Sequence, residues 1–274
     1  MHAMNGARLL RVVALLFTAV AGSVFMSGSG PPDRSGTLPS AAILSDGEVL
    51  VYEVSWTFFK LGTIRLMSKK DFSAEAFIDS YDGLPMVDLH SVHYSLMDSS
   101  FFSRASRSLD KEETEWRGLN YVYDLLGHRL LVEEVSQADP TSPPHTRVEK
   151  GVIALQDTHF IDGLSIAFFP RAFVHTSRSI TVPTLLYGNL GTTTFHFMQR
   201  KTLEPIDALE DPVRVVEVDG TTSVEGIFGM TGDFRGWFSD DSAAVPIKGR
   251  LRVLLGEVDV ELIQWNRGGW NPPQ

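Results

Sequence analysis

From Val49 to Phe58 the chain reads Val-Leu-Val-Tyr-Glu-Val-Ser-Trp-Thr-Phe, and it alternates. Leu50, Tyr52, Val54 and Trp56 share one face, while Glu53, Ser55 and Thr57 fall on the other. Successive side chains of a strand point to opposite sides, so a period of two marks a strand with one face in a core and one in water. The pattern recurs along most of the chain, and that recurrence restricts it to an all-β fold built from short antiparallel strands.

Gly62 opens a second run, Thr63 to Lys69, which places Ile64 and Leu66 opposite Arg65 and Lys69 and makes a hairpin with the first. Ala74 to Tyr81 extends the meander, and Asp82-Gly83 closes it with turn residues. Segment 84–109 is made polar by Ser99, Ser100, Ser103, Ser106 and Ser108 and reads as a strand pair with irregular connections. Trp116 to Leu126 and Arg129 to Val135 form a hairpin around Gly127-His128, with glycine first as a type II′ turn prefers. Gln137 to Thr146 is a loop inside one domain, because strand patterning resumes at Arg147. Further strands are expected at Ser179 to Leu186, Thr192 to Lys201, Val213 to Asp219 and Asp233 to Ser239.

The last hairpin is the most sharply specified. With Leu255-Gly256 as a two-residue loop, Arg252 faces Asp259 and Arg250 faces Glu261, while Val253 meets Val258 and Leu251 meets Val260. Opposed charges on one face and apolar pairs on the other agree at each rung. The single helix signal is Asp162, an N-cap for Gly163 to Phe169 before Pro170. The expected fold is all-β with minor α: an antiparallel meander forming a curved sheet, as a partial or closed barrel or a sandwich, with one short helix near 162–171 that plugs or covers the sheet.

Residues 1–21 have the pattern of a signal peptide. Arg8 and Arg11 precede a largely apolar run, Val12 to Ala21, and Ala19-Val20-Ala21 offers small residues for cleavage. An uncleaved inner-membrane anchor over residues 9–26 is the alternative, although a spanning helix needs about 20 apolar residues. Residues 22–44, rich in Gly, Pro and Ser, read as a flexible tether, 45–266 as one β-rich domain and 267–274 as a C-terminal tail. Export to the periplasm follows from the leader. The absence of cysteine excludes disulfides, thiolate metal sites and a cysteine nucleophile. A formal charge of −10 with no basic run argues against nucleic acid and against adsorption to an anionic lipid surface. Contact with a membrane is expected only through an uncleaved signal.

Three groups of residues raise chemistry. His90 and His93 are three apart, which in a strand sends them to opposite faces, and no HExxH arrangement accompanies them. Gly163-Leu164-Ser165-Ile166-Ala167 resembles a degraded nucleophile elbow, but an elbow needs a parallel α/β sheet and the pattern here is antiparallel. In the segment Gly236-Trp237-Phe238-Ser239-Asp240-Asp241, the adjacent carboxylates read as a structural turn, a metal or ligand contact, or an acid–base pair. No catalytic residues, metal ligands or cofactor are assigned. The 17 Phe, 6 Tyr and 5 Trp supply either a packed core or an aromatic-lined pocket. The residues carried forward as candidate ligand contacts are Trp56, Phe58, Phe168, Phe169, Trp237, Asp240 and Asp241.

Two motifs bracket the domain. The opening one is Gly47-Glu48-Val49-Leu50-Val51-Tyr52-Glu53-Val54-Ser55-Trp56 followed by Gly62-Thr63, and the closing one is Trp237-Phe238-Ser239-Asp240-Asp241 with Val245-Pro246-Ile247-Lys248. Together with Asp162 to Ala167 they resemble the bacterial exported family called domain of unknown function 3108, over roughly residues 45–265. Ala243-Ala244 departs from the charged residue often found there, and segment 84–109 is hard to match. The resemblance implies export and a β-rich domain and carries over no reaction. Sequence therefore points to a non-enzymatic periplasmic domain that binds or carries a hydrophobic, lipid-like small molecule. The alternatives are a structural or assembly module binding an envelope protein or glycan, and an unrecognised hydrolase using Asp240 or Asp241.

Overall fold

The structure, a computed structural model, describes residues 40–84, 88–155, 159–186, 188–224, 232–253 and 256–274. The leader and most of the tether lie outside these residues. Among the described residues the chain forms fourteen strands in one antiparallel sheet. They are β1 (Glu48–Trp56), β2 (Phe59–Ser68), β3 (Ser73–Ser80), β4 (His90–Met97), β5 (Ser103–Glu112), β6 (Glu115–Asp124) and β7 (Arg129–Gln137). The second half comprises β8 (Thr146–Ala154), β9 (Ser177–Leu186), β10 (Asn189–Glu204), β11 (Val213–Thr222), β12 (Gly232–Ser239), β13 (Pro246–Val253) and β14 (Gly256–Asn266). One turn of α-helix (Ser165–Phe168) runs into a 3-10 turn (Phe169–Ala172) between β8 and β9.

The strand order is β8-β7-β6-β5-β4-β3-β2-β1-β14-β13-β12-β11-β10-β9. This is a meander whose first and last strands pair, so the chain ends meet mid-sheet and the free edges are β8 and β9. The sheet is not closed by a strand ladder. A backbone seam joins its halves instead: Ile161 N–H donates to Pro183 O at 3.0 Å, Leu185 N–H to Ile161 O at 2.9 Å, and Ser103 N–H to Phe160 O at 2.8 Å. Segment 160–161 thereby sits between β9 and the start of β5. Strands β6 to β8 extend past the seam and cover a small second core of Tyr121, Leu130, Val132, Leu155, Phe160 and Leu185.

β1 alternates as the sequence requires, with Leu50, Tyr52 and Val54 buried. Segment 84–109 holds a strand pair, β4 and β5, with Ser95 opposite Ser106 and His93 opposite Ser108. Asp162 caps the helix as expected: its Oδ1 accepts Leu164 N–H and Ser165 N–H at 2.8 Å each, and Ser165 Oγ accepts Asp162 N–H at 2.6 Å. That reciprocal pair is a capping box with Ser in place of Glu or Gln.

Four expectations are corrected. In the β13–β14 hairpin Arg250 faces Asp259, Arg252 faces Glu257 and Leu251 faces Val258, a register two residues from the one expected. A shift of two preserves both faces, so alternation alone does not distinguish the registers; the observed one adds a third charged rung, Lys248 opposite Glu261. The β6–β7 turn is longer than two residues, because Asp124 pairs with Arg129. Asp124 Oδ1 accepts Gly127 N–H, and His128 takes the positive φ of 49° rather than the glycine. The tether does not reach residue 44, since Ile43 and Leu44 are core residues. Nor is 267–274 a loose tail: Arg267 is buried, Trp270 packs on the core, and Pro273 O accepts Arg214 N–H at 2.7 Å.

Candidate functional site

A cavity of about 360 Å³ lies within the curl of the sheet. Its walls come from strands far apart in the order, including Val54 and Ile64 of β1 and β2, Ile78 of β3, Leu185 of β9, Val218 of β11, Phe238 of β12 and Val260 of β14. For these strands to face one space the sheet must wrap around it. The helical segment supplies one side through Leu164, Ile166, Ala167 and Pro170. Small residues make the room: Ala76, Gly236 and Gly249 stand where longer side chains would fill the centre.

Arg107, Arg235 and Lys248 also border the cavity, but its lining is otherwise largely apolar except at one corner. His93, Ser106, Ser108, Tyr121 and Asp162 meet there, brought together by β4, β5, β6 and the helix cap. Asp162 is buried and both its oxygens only accept: Oδ2 takes the Ser95 hydroxyl at 2.6 Å and the Ser103 hydroxyl at 2.7 Å, and Oδ1 takes the two helix N–H groups. His93 keeps some accessible surface, which faces the cavity. Burial holds its imidazole below the ordinary value against the opposing pull of Asp110 and Asp162, so the ring is neutral at pH 7. Burial likewise pushes the Tyr121 phenol up to about 12. Its hydroxyl has no hydrogen-bond partner among the described residues.

The sequence-derived candidates distribute differently. Trp56 and Phe58 sit at the β1–β2 tip and are exposed, with Phe58 at 78% and its ring 4.4 Å from that of the exposed Phe59. Phe168 and Phe169 are fully buried among other aromatics: Phe168 stacks on Phe101 at 6.3 Å, and Phe169 lies 5.3 Å from Phe102 and 5.7 Å from Phe195. Neither belongs to the cavity wall, whereas their neighbours Ile166, Ala167 and Pro170 do. Trp237 is buried, with the guanidinium groups of the cross-strand partners Arg235 and Arg250 5.9 and 5.8 Å from its ring, while Gly236 and Phe238 on either side border the cavity.

Asp240 and Asp241 form a corner. Asp241 Oδ1 accepts the Ser239 hydroxyl at 2.9 Å, Ala243 N–H at 2.9 Å and Ala244 N–H at 3.0 Å, and Oδ2 accepts Trp270 Nε1–H at 2.7 Å. Asp240 pairs with Lys201 at 2.9 Å. Ser165 is fully buried, its hydroxyl held by Asp162 N–H and by Ser103 at 3.1 Å. Among the described residues no three His, Asp or Glu side chains gather as metal ligands, and no helix is long and apolar enough to cross a membrane.

A second buried polar cluster closes the opposite end of the core. Glu48, fully buried, accepts from Arg171 Nη1 at 3.2 Å, from the Ser68 hydroxyl at 2.9 Å and from Arg267 Nη1. Arg171 also donates to Ile43 O at 2.8 Å and Ala243 O at 3.0 Å, and Arg267 to Ile43 O at 3.0 Å. The cluster ties together both ends of the domain, the 3-10 turn and the Asp241 corner. The opening and closing sequence motifs meet beside it, where Tyr52 O–H donates to Pro246 O at 3.0 Å. The sequence shows Glu48 only as a motif letter, because both of its arginine partners lie more than a hundred residues away.

This arrangement defines a β-barrel-like antiparallel fold. A solved structure from Brucella abortus, a β-barrel-like protein of domain of unknown function DUF1849, matches it with a TM-score of 0.51 at 9% identity, covering 82% of this chain and 99% of the other. A DUF1089 family protein from Pseudomonas aeruginosa overlaps with a TM-score of 0.31 at 11% identity, covering 92% of this chain and 100% of that one. No family model matches the chain, and no curated protein does.

Proposed function

We propose that this protein is an exported, non-enzymatic binding domain that carries a hydrophobic, lipid-like ligand inside the curl of its sheet. The observation that carries the reading is the cavity of about 360 Å³ with its predominantly aliphatic and aromatic wall. Small-molecule sites are concave, mostly apolar spaces of roughly 300–1,000 Å³ with a few placed polar groups, and this space has those properties. A stored ligand would also offset the cost of leaving a large apolar core incompletely packed. The residues that raised a hydrolase, Ser165, Asp240 and Asp241, have their polar atoms committed to bonds within the fold. Export is inferred from the leader-like residues 1–21 and kinship with domain of unknown function 3108 from the two motifs. The contact between Tyr52 and Pro246 supports that kinship with a physical reason for the motifs to occur together.

Native mass spectrometry of protein purified from its own cell envelope tests the carrier reading. A bound apolar species that a competing apolar probe displaces is the expected outcome. Recovery of bare polypeptide that binds no such probe would remove the reading. A second reading, an assembly module docking an envelope protein or glycan, is favoured by the exposed aromatic tip of Trp56, Phe58 and Phe59. Changing Phe58 and Phe59 to serine would then abolish partner recovery by crosslinking while leaving probe binding intact.

A further inference from the structure

The polar corner of the cavity is the least expected part of it. Two of the serines that blur the pattern of segment 84–109 in the sequence, Ser106 and Ser108, line the cavity where an apolar wall would otherwise continue, while Ser99 and Ser100 are exposed. Ser106 stands opposite Tyr121 across the β5–β6 ladder, and Ser108 opposite His93 across β4–β5. Cross-strand partners on one face lie about 5 Å apart, so these four side chains make one contiguous patch. Tyr121 is 4% exposed, lines the cavity, and its hydroxyl has no partner among the described residues. Gly188 lies beside it and leaves that side unobstructed; a Cβ there would stand 3.5 Å from the hydroxyl. Buried tyrosine hydroxyls are normally hydrogen-bonded, and one left bare in an apolar space costs roughly 1–3 kcal/mol.

We propose that the cavity takes a single-chain amphiphile whose uncharged hydrogen-bonding head seats against Tyr121, Ser106, Ser108 and His93, with its chain along the aliphatic wall of Val54, Ile64 and Val260. The inference rests on the cavity being a ligand site. The volume sits near the lower end of the usual range for small-molecule sites, which suits one chain rather than two. The corner also decides the charge of the head. The four described partners of the Asp162 carboxylate are neutral donors, and among the described residues no ion pair includes it. Of the cations that border the cavity, Arg235 and Lys248 are taken by ion pairs with Asp219, Glu204 and Glu261, and Arg107 alternates with Ser106 and Ser108 along β5 and so belongs to the other face of the strand. An anionic head would meet an uncompensated negative charge across a medium of low dielectric, whereas a hydroxyl, ester or amide can accept from Tyr121 and exchange hydrogen bonds with the serines.

The test uses the full purified chain and the neutral probe N-phenyl-1-naphthylamine, displaced at neutral pH by four ligands of one chain length: dodecane, dodecanol, the monododecanoyl ester of glycerol, and dodecanoate. Dodecanol and the glycerol ester should displace the probe at about tenfold lower concentration than dodecanoate. Tyr121→Phe should weaken those two by about fivefold, as loss of one neutral hydrogen bond predicts, with a melting temperature unchanged or raised because an unpaired hydroxyl is removed. Probe bound and displaced equally by all four ligands, or best by dodecanoate or dodecane, would overturn the head-group assignment and leave the cavity as an apolar site. A lowered melting temperature in Tyr121→Phe with unchanged displacement would make the hydroxyl structural and likewise overturn it. Failure of the probe to bind at all would remove the carrier reading, and this inference with it.

Discussion

Replacing Glu48 by glutamine keeps the shape of the side chain and removes one charge from a site with no access to water. In the native protein that carboxylate is fully buried, as is the Arg171 side chain, and Arg267 is nearly so. One anion balances two guanidinium groups, which also donate to the Ile43, Ala42 and Ala243 carbonyls. Glutamine can still accept one bond but leaves two buried cations without a counter-charge. Breaking a buried ion pair from one side costs about 3–5 kcal/mol, and the second arginine places Glu48→Gln toward the upper end. Against a total stability of about 5–15 kcal/mol, the urea midpoint should fall by a third or more with little change in slope. The pH dependence gives an independent check. Burial alone would raise the Glu48 pKa, but Arg171, Arg267 and the Ser68 hydroxyl outweigh it and hold the carboxyl below its ordinary value. A group with a lowered folded pKa contributes fully above its unfolded value of about 4.3 and loses that contribution as pH falls through the folded one. The stability gap between wild type and Glu48→Gln should therefore be widest at neutral pH and close in acid below about pH 4. A gap under about 1 kcal/mol at pH 7, or one that widens in acid, would refute the clamp.

Asp162→Ala removes the acceptor of four donors and the helix cap together; a loss of at least ~2 kcal/mol is expected in chemical denaturation. Asp241→Ala frees Trp270 and two backbone N–H groups, so it should cost about 2 kcal/mol and shift tryptophan emission to the red. Its probe affinity should stay unchanged, and reduced probe binding at unaltered stability would instead make this corner part of a ligand site. Ala167→Phe places a ring in the cavity. It should lower probe affinity by about tenfold or more while the melting temperature holds or rises, since it fills space rather than displacing packed atoms.

How far the sequence could be read depended on how local each feature is. The β1 alternation, the Asp162 cap and the Ser239-Asp240-Asp241 corner are each specified by residues within a few positions of one another, and each stands in the structure where its chemistry requires. The β13–β14 register was open by two, because a shift of two keeps every face and still sets unlike charges opposite one another. The cavity wall was misassigned for a related reason. Aromatic residues mark buried positions well, but large rings such as Phe168 and Phe169 fill space, and the space left open is bordered by Ala76, Ala167, Gly236 and Gly249. Segment 84–109 read as a polar strand pair with irregular connections, and its serines did not disclose the cavity because polar residues in a strand normally face water.

By itself, then, the sequence determined an antiparallel all-β chain, the approximate limits of most strands, one capped helix and one acidic turn. Period-two alternation, capping and turn chemistry act over a few bonds and survive without knowledge of what lies opposite. Only the tertiary structure decided that residues 42–48, Arg171, Ala243 and Arg267 close on one another, that the sheet curls and is seamed at Ile161 rather than closed as a barrel, and that an inward polar corner faces an apolar wall. Those outcomes depend on which distant surfaces the curl of the sheet brings face to face, and no local pattern encodes the angle through which fourteen strands turn.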